Sequence, residues 1–324
     1  MNIESNMFSV IIPLYNKAPY IETAIRSVAA QTCRDFELII IDDGSTDDGF
    51  GIAEKMLGEL RLSFGGWRAI RQHNSGVSAA RNNGVQLAQY EYIAFLDADD
   101  WWAATYLEEM KRLIAQFPEA GIYGSSYYKV KKGRPIQANI GVHEGFQRGL
   151  INYFKVYAQT LWMPLWTGAT IIKKTVFEAF KGFPSHLKLG EDFYLWSQVA
   201  TKYPVAYINV PLAYYNQDVE RAHRAVGPRL YEPNEHMLFV SYPSELMQNK
   251  DFEFLFQRLA LYGLMPYYAS KKNFKDVDRI LNAINWRAHE RKYFVYYNLL
   301  SPAMLRWWFA VLKLGSNVKG LLRR

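Results

Sequence analysis

Cysteine is almost absent from this chain. Cys33 stands alone among 324 residues, so no internal disulfide can form and a reducing cytoplasm is the simplest home. Long apolar runs are missing as well. Nowhere do about 18 uninterrupted apolar residues occur, which argues against a conventional membrane-spanning helix. The opening "MNIESNMFSV" also lacks the basic region and apolar core of a secretory leader. Glycine-rich phosphate loops are absent in turn. The segment "PLYNKAPY" after the first apolar run contains no G-x-G-x-x-G, and G-x-x-x-x-G-K-[ST] is found nowhere, so a dinucleotide oxidoreductase and a P-loop ATPase are excluded. A sugar-phosphate nucleotidyltransferase would want a glycine-rich loop at the same place, and it is excluded too.

What is present reads as a folded chain. Half of the residues are hydrophobic and 21% are charged, which is ordinary globular composition. The length suits one large domain or two smaller ones, each able to bury a core. The net charge of +7 is not spread evenly. From Arg287 to Arg324 eight Lys and Arg face the single acid Glu290, an excess equal to that of the whole chain. The basicity belongs to the tail.

Strand and helix patterns alternate along the first part. "FSVIIPLYN" is a short apolar, β-branched run closed by Pro and Asn, and "FELIIIDDGSTDDG" repeats the pattern before a Gly/Ser/Asp loop. Between them, Ile21, Ala24, Ile25 and Val28 recur at helical spacing. "FGIAEKML" continues as a helix, "WRAIRQ" as a weaker strand, "SGVSAARNNGVQLAQ" as a helix and "YIAFLD" as a strand. Continuous apolar strands alternating with helices predict a mostly parallel, Rossmann-like sheet flanked by helices. Later, "AGIYGSSYYKV" and "WTGATIIKK" read as strands, "GEDFYLWSQVATKY" as a helix, and "VAYIN" and "LAYYN" as two short strands. From about Pro228 onward the chain reads as helical. This predicts a division into residues 1–225 and a helical region, residues 226–324.

Ligands of such sheets sit outside the carboxyl ends of the strands. Asp42, Asp43, Asp97 and Asp99 all fall at such ends, so acids are expected to converge on one crevice. In "FLDADD" three carboxylates crowd within four positions, which makes physical sense if a divalent cation neutralises them. Mg²⁺ and Mn²⁺ take hard oxygen ligands, one or two from the protein and the rest from a phosphorylated substrate. A D-x-D alone is weak evidence, because acids commonly cap helices.

The ordered series "SVIIPLYN", "FELIIIDDGSTDDG", "NSGVSAARNNG", "FLDADD" and "GEDFYLW" resembles the family 2 glycosyltransferases over roughly residues 8–225. The resemblance implies the α/β GT-A fold with a C-terminal helical extension, and inverting transfer of a sugar from a nucleotide-sugar. Pro13 and Tyr15 would then line the nucleotide pocket, and Asp43 would accept a hydrogen bond from base or ribose. Asp42 would either cap its loop or touch ligand. Arg81 would approach the nucleotide or tie loops together. Asp97 would touch ribose or the metal shell, Asp99 would ligate Mn²⁺ or Mg²⁺, and Asp100 would start the next helix. Asp192 matches the family's catalytic base, with Glu191 orienting it or the acceptor. Both lie at a helix start, where the dipole favours the ionised form. "ERAHR" is similar to the family's basic loop over the diphosphate, so His223 would complete the metal shell or bond phosphate, and Arg221 and Arg224 would neutralise charge.

The family most often uses a UDP-sugar and builds bacterial surface polysaccharide, so a UDP-sugar donor and a glycan or lipid-linked acceptor are implied. In the tail, Leu305, Trp308, Phe309 and Leu312 fall at i, i+3, i+4 and i+7 with Arg306 and Lys313 at the edge. Such a helix suits peripheral contact with the cytoplasmic face of a membrane, or packing on its own domain or on a second subunit in a homodimer. Two alternatives differ in class. A nucleic-acid binder using the basic tail leaves the acidic crevice unexplained, so no nucleic-acid partner is expected. A catalytically inactive sugar-nucleotide-binding scaffold has Asp99 and Asp192 against it.

Overall fold

The computed structural model describes residues 8–59, 66–220, 223, 230–305 and 307. Strand and helix alternate as β1 (Phe8–Leu14), α1 (Ile21–Ala29), β2 (Phe36–Asp42), α2 (Gly49–Glu59), β3 (Trp67–Arg71), α3 (Val77–Leu87) and β4 (Tyr92–Phe95). The chain continues through β5 (Trp101–Trp102), α4 (Tyr106–Gln116), β6 (Ile122–Lys131), β7 (Arg134–Gln137), β8 (Arg148–Ile151) and α5 (Tyr153–Thr160). After these come β9 (Thr170–Lys173), α6 (Lys174–Ala179), α7 (Glu191–Lys202) and β10 (Val205–Asn216). The remainder is helical: α8 (Ser244–Met247), α9 (Lys250–Gly263), α10 (Met265–Ser270), α11 (Phe274–Asn282) and α12 (Arg291–Phe294).

The main sheet runs β3-β2-β1-β4-β9-β6-β10-β5. Its first four strands are parallel, as the alternating pattern predicts, and β9 enters antiparallel to both β4 and β6. "VAYIN" and "LAYYN" are one strand rather than two. Pro211, at a shift of register in β10, separates them without ending the pairing with β6, because a bulge tolerates the missing N–H.

Both faces of the sheet are covered. Alternation sends Val10, Ile12, Leu14, Leu38 and Ile40 into a core shared with α1, α2 and α4. Ile11, Ile39, Ile41 and Phe95 go to the opposite core, shared with α3, α5, α7 and the C-terminal helices. Each such side chain, fully buried, stabilises the fold by about 1.5–3 kcal/mol. The α1 stripe buries the expected Ile21, Ala24, Ile25 and Val28. On the other face, Phe252, Leu255 and Leu259 of α9 join the same cluster as Phe193 and Trp196 of α7. The helical region is thus packed directly behind the helix that carries Glu191 and Asp192.

Leu305 is fully buried, while Leu299, Met304 and Trp307 are 64%, 54% and 67% exposed. The face expected to meet lipid therefore turns inward at its first residue. Trp308, Phe309 and Leu312 lie outside the described residues. Among the described residues no helix is long and apolar enough to cross a membrane.

Helix α3 approaches β1 through Gly84, where an added Cβ would stand 2.5 Å from Cγ2 of Ile11. Gly84→Val should therefore lower stability by about 1–3 kcal/mol through overpacking. Gly58→Ala, on an open face of α2 with nothing within 4 Å, should raise it by about 0.5–1 kcal/mol through helix propensity. Urea unfolding of the two variants reads both signs.

Candidate active site

The crevice opens where β1 and β4 part. Their pairing ends at Ile11 and Phe95, with one more bond from Leu96 N to Ile11 O at 3.0 Å. Leu14 O instead bonds Asp43 N on the β2 side. Alternation therefore turns Pro13 toward the β4 side, where the neighbour has already left and no donor is needed. That is how a proline sits in a central strand. Tyr15 follows, 46% exposed. Asn16 takes a left-handed φ of 50°, which Asn tolerates, and its side chain accepts from Thr46 N at 2.8 Å.

That turn delivers Lys17 into the crevice, where it is ion-paired with Asp99. Lys17 is a site residue that sequence reasoning missed. The available signal was charge balance: acids at one strand end require a cation, and Lys17 follows the neighbouring strand. Burial is the largest influence on Asp99 and raises its carboxyl above the usual range; Asp97 adds to this against the pull of Lys17. Asp100 does not start a helix, because β5 intervenes and α4 begins only at Tyr106. It is 1% exposed and accepts from Asn216 N at 2.7 Å, fastening the end of β10. Burial, then Asp99 and Asp97, push its carboxyl well up.

Asp42 and Asp43 serve the loops. Asp42 is fully buried, pairs with Arg71 at 2.6 Å and accepts from Ser45 N at 3.3 Å, which makes it the loop cap. Asp43 accepts from Gln72 Nε2, Ser75 N and Gly76 N, each at 2.8 Å. Three of its roughly four acceptor sites hold the loop that leads into α3, leaving one for a ligand.

Arg81 joins the two halves of the crevice. Its guanidinium donates to Asp97 at 2.7 Å and to Glu191 at 3.1 Å, and its side chain is 5% exposed. Burial alone would lower its pKa, but Asp97 and Glu191 outweigh burial and raise it. Gly190, at φ 81°, begins α7 where any Cβ would collide with the Met237 side chain. Met237 N bonds Leu189 O at 3.0 Å, and Leu189 N bonds Glu235 O at 3.1 Å. The C-terminal region thereby sets the approach to Glu191 and Asp192.

Asp192 accepts from Phe193 N at 2.7 Å and from the Thr167 hydroxyl at 3.2 Å. Thr167 is a second site residue that no sequence pattern singles out. Burial first, then Glu191, push the Asp192 carboxyl up to about 7, against Phe193 N, Arg81 and Thr167. The helix start does not keep it strongly acidic, because desolvation outweighs the dipole.

His223 donates from Nδ1 to Asn16 O at 2.7 Å; a carbonyl can only accept. Nε2 is then the nitrogen left for a ligand, the arrangement by which a second partner orients a histidine toward a metal. Arg221 and Arg224 lie outside the described residues. Among the described residues no three His, Cys, Asp or Glu side chains converge into a metal cluster. Asp99 and Asp97 nonetheless fit a hard cation that arrives with a nucleotide, which needs only one or two protein carboxylates. They do not fit a cation held by protein alone.

Arg81→Gln should cost about 2–3 kcal/mol, below the worth of a fully buried pair, since it leaves two partly buried carboxylates without their partner. Arg81→Lys should recover only part of this, because an ammonium lacks the fork that reaches both acids. Urea unfolding measures the first effect, and the difference between the variants isolates the second.

Residues 9–178, more than half of the chain, match the family model described as Glycosyl transferase family 2. An uncharacterized glycosyltransferase of Rickettsia felis is 36% identical over 211 residues, which are 63% of this chain and 32% of that protein. The putative glycosyltransferase EpsH of Bacillus subtilis is 38% identical over 34% of this chain and 31% of its own length. The chain thus spans about a third of the length of these relatives. Among solved structures, S. aureus TarS 1-349 in complex with UDP-GlcNAc superposes with a TM-score of 0.66 at 18% identity, over 90% of this chain and 81% of that one. The mannosyltransferase PcManGT from Pyrobaculum calidifontis, in complex with GDP-Man and Mn2+, gives 0.53 at 19% identity over 92% and 84%. At these identities the likeness is one of fold: an α/β, GT-A-type sheet flanked by helices. With its fold and its ordered strand-end acids, the chain belongs to glycosyl transferase family 2.

Proposed function

We propose that the protein is an inverting, metal-dependent glycosyltransferase that moves a sugar from a UDP-sugar to a hydroxyl of a glycan or lipid-linked acceptor. One observation carries this reading. A single buried guanidinium ties the acidic strand end, Asp97, to Glu191 beside a half-buried Asp192. Donor site and base are thereby held in one rigid frame.

Pro13 and Tyr15 line the nucleotide pocket, and the remaining acceptor site of Asp43 takes an N–H or O–H of base or ribose. Asp99 and His223 would hold Mn²⁺ or Mg²⁺, and Asp97 would serve ribose or the metal shell. The cation supplies Lewis-acid stabilisation of the charge that develops on the leaving diphosphate. Lys17, which pairs with Asp99, would release that carboxylate to a bound cation and would leave its ammonium available to the phosphates. Arg221 and Arg224 neutralise charge from the closing loop. Asp192 takes the acceptor's proton, and its pKa near 7 suits a general base at neutral pH. Glu191 orients the base through Arg81. TarS in complex with UDP-GlcNAc supports the choice of a uridine nucleotide, and PcManGT with Mn2+ supports the metal. Residues 1–225 carry the chemistry in this reading, and the region from 226 onward braces α7.

We also place the enzyme at the cytoplasmic face of a membrane. Exposed Leu299, Met304 and Trp307 follow exposed Arg287, Arg291 and Lys292 in the chain, a composition suited to an anionic interface. Replacing the three apolar residues by Ser should release the protein from phosphatidylglycerol-containing vesicles at low salt. Cosedimentation that is unchanged, or a full-length protein that ignores the vesicles, rejects this placement.

Asp192→Asn should leave UDP binding intact and slow transfer by about 10²–10⁴-fold. In the unaltered enzyme the active form is the ionised carboxylate, so transfer should rise with pH up to about 7 and level above it. Asp99→Ala should instead abolish the Mn²⁺ dependence of UDP binding. Calorimetry of UDP with and without Mn²⁺, beside a pH–rate profile, separates base from metal ligand. Near-normal turnover of the Asn variant overturns the assignment.

A further inference from the structure

We propose that the acceptor is a carbohydrate, and that one of its pyranose rings stacks on an aromatic shelf formed by Tyr215 and Trp162, backed by Trp166, beside Asp192. This rests on the transferase reading and assigns the chemical class of its second substrate. The shelf follows from register. β6 and β10 pair with Ala213 opposite Tyr127 and Tyr215 opposite Lys129, so alternation puts Tyr127, Lys129 and Tyr215 on one face. Tyr128 and Tyr214 go to the other, where Tyr214 stacks on Trp101.

On the first face the rings are linked. Tyr127 and Trp166 have centroids 4.9 Å apart, and Trp166 and Tyr215 5.1 Å apart. The Lys129 ammonium lies 3.4 Å from the centroid of Trp162, which fixes that indole by a cation–π contact. Trp166 immediately precedes Thr167, whose hydroxyl donates to Asp192, so the row ends at the base. Exposure grades outward along it: Trp166 is 8% exposed, whereas Tyr215 and Trp162 are each 37% exposed.

A row of large, partly exposed aromatics beside a half-buried carboxylate has a matching ligand. A pyranose presents a flat face of C–H bonds that loses water to an aromatic ring, and an edge of hydroxyls that needs donors and acceptors. Aromatic side chains provide apolar area at fixed geometry, and a few placed polar groups fix orientation. Lys129 supplies donors at the outer end and Asp192 the acceptor at the inner one. A lone phosphate or an unglycosylated alkyl chain would use the charge or the apolar surface, but not both edge and face.

Saturation-transfer NMR tests this with methyl pyranosides of glucose, galactose, mannose and N-acetylglucosamine, in the presence of UDP and Mg²⁺, with sorbitol as the open-chain control. At least one pyranoside should receive saturation at its ring C–H protons while sorbitol does not. Tyr215→Ala and Trp162→Ala should each weaken that binding by about tenfold, the worth of one aromatic contact, and Tyr215→Phe should restore it. UDP titrated into the same variants reports whether fold and donor pocket persist. If UDP binds but no pyranoside does, or if pyranoside binding survives both Ala substitutions, the shelf is not a sugar site. If UDP fails to bind the unaltered protein, the donor reading itself falls, and the acceptor proposal with it.

Discussion

Everything in the crevice is organised around one buried cation. Arg81 is carried by α3, reaches Asp97 beyond β4, and reaches Glu191 at the start of α7. Asp97 is only 16 residues from Arg81, but Glu191 is 110 residues from it, so the guanidinium joins a distant part of the chain to the strand end. An arginine buried to this degree is tolerated only because two carboxylates face it, and those carboxylates are tolerated only because it is there. The mutual requirement gives the site its geometry. Gly84 sets how close α3 comes to the sheet, and hence how far the guanidinium must reach.

The same low-dielectric setting decides the protonation of its neighbours. Asp192 has a helix start, a hydroxyl and a guanidinium all favouring its charge, yet burial wins and moves it toward neutrality. Asp99 is raised as well, although it has Lys17 beside it. Desolvation therefore disfavours the charged forms of Asp99 and Asp192, and positive charge brought into the crevice would favour them.

Much of this was legible in the residues. The stripe Ile21, Ala24, Ile25 and Val28 buried as its spacing required, and β1, β2 and β4 formed where continuous apolar runs ended in turn residues. Such features depend on local periodicity, which a sequence displays directly. The failures share a different cause. Asp100 was read as a helix start because an acid before a helix is a local pattern, but its role is set by Asn216 at the far end of β10. Lys17 and Thr167 were overlooked for the same reason: each matters through a partner 82 or 25 residues away. The long pairing of β10 across Pro211 is likewise a property of β6 beside it. Where a residue's meaning lies in tertiary neighbours, pattern alone is silent.

Pro13 has a consequence of another kind. Two parallel strands that diverge leave a seam, and a seam flanked by amides tends to heal, by lengthening its ladder or admitting a stray segment. At Pro13 the β4-facing edge of β1 has nothing to offer as a donor, so the ladder cannot grow by even one rung toward the crevice. The cleft is thus protected chemically as well as sterically. Its mouth stays open because the next position that could extend the β1–β4 ladder carries no hydrogen.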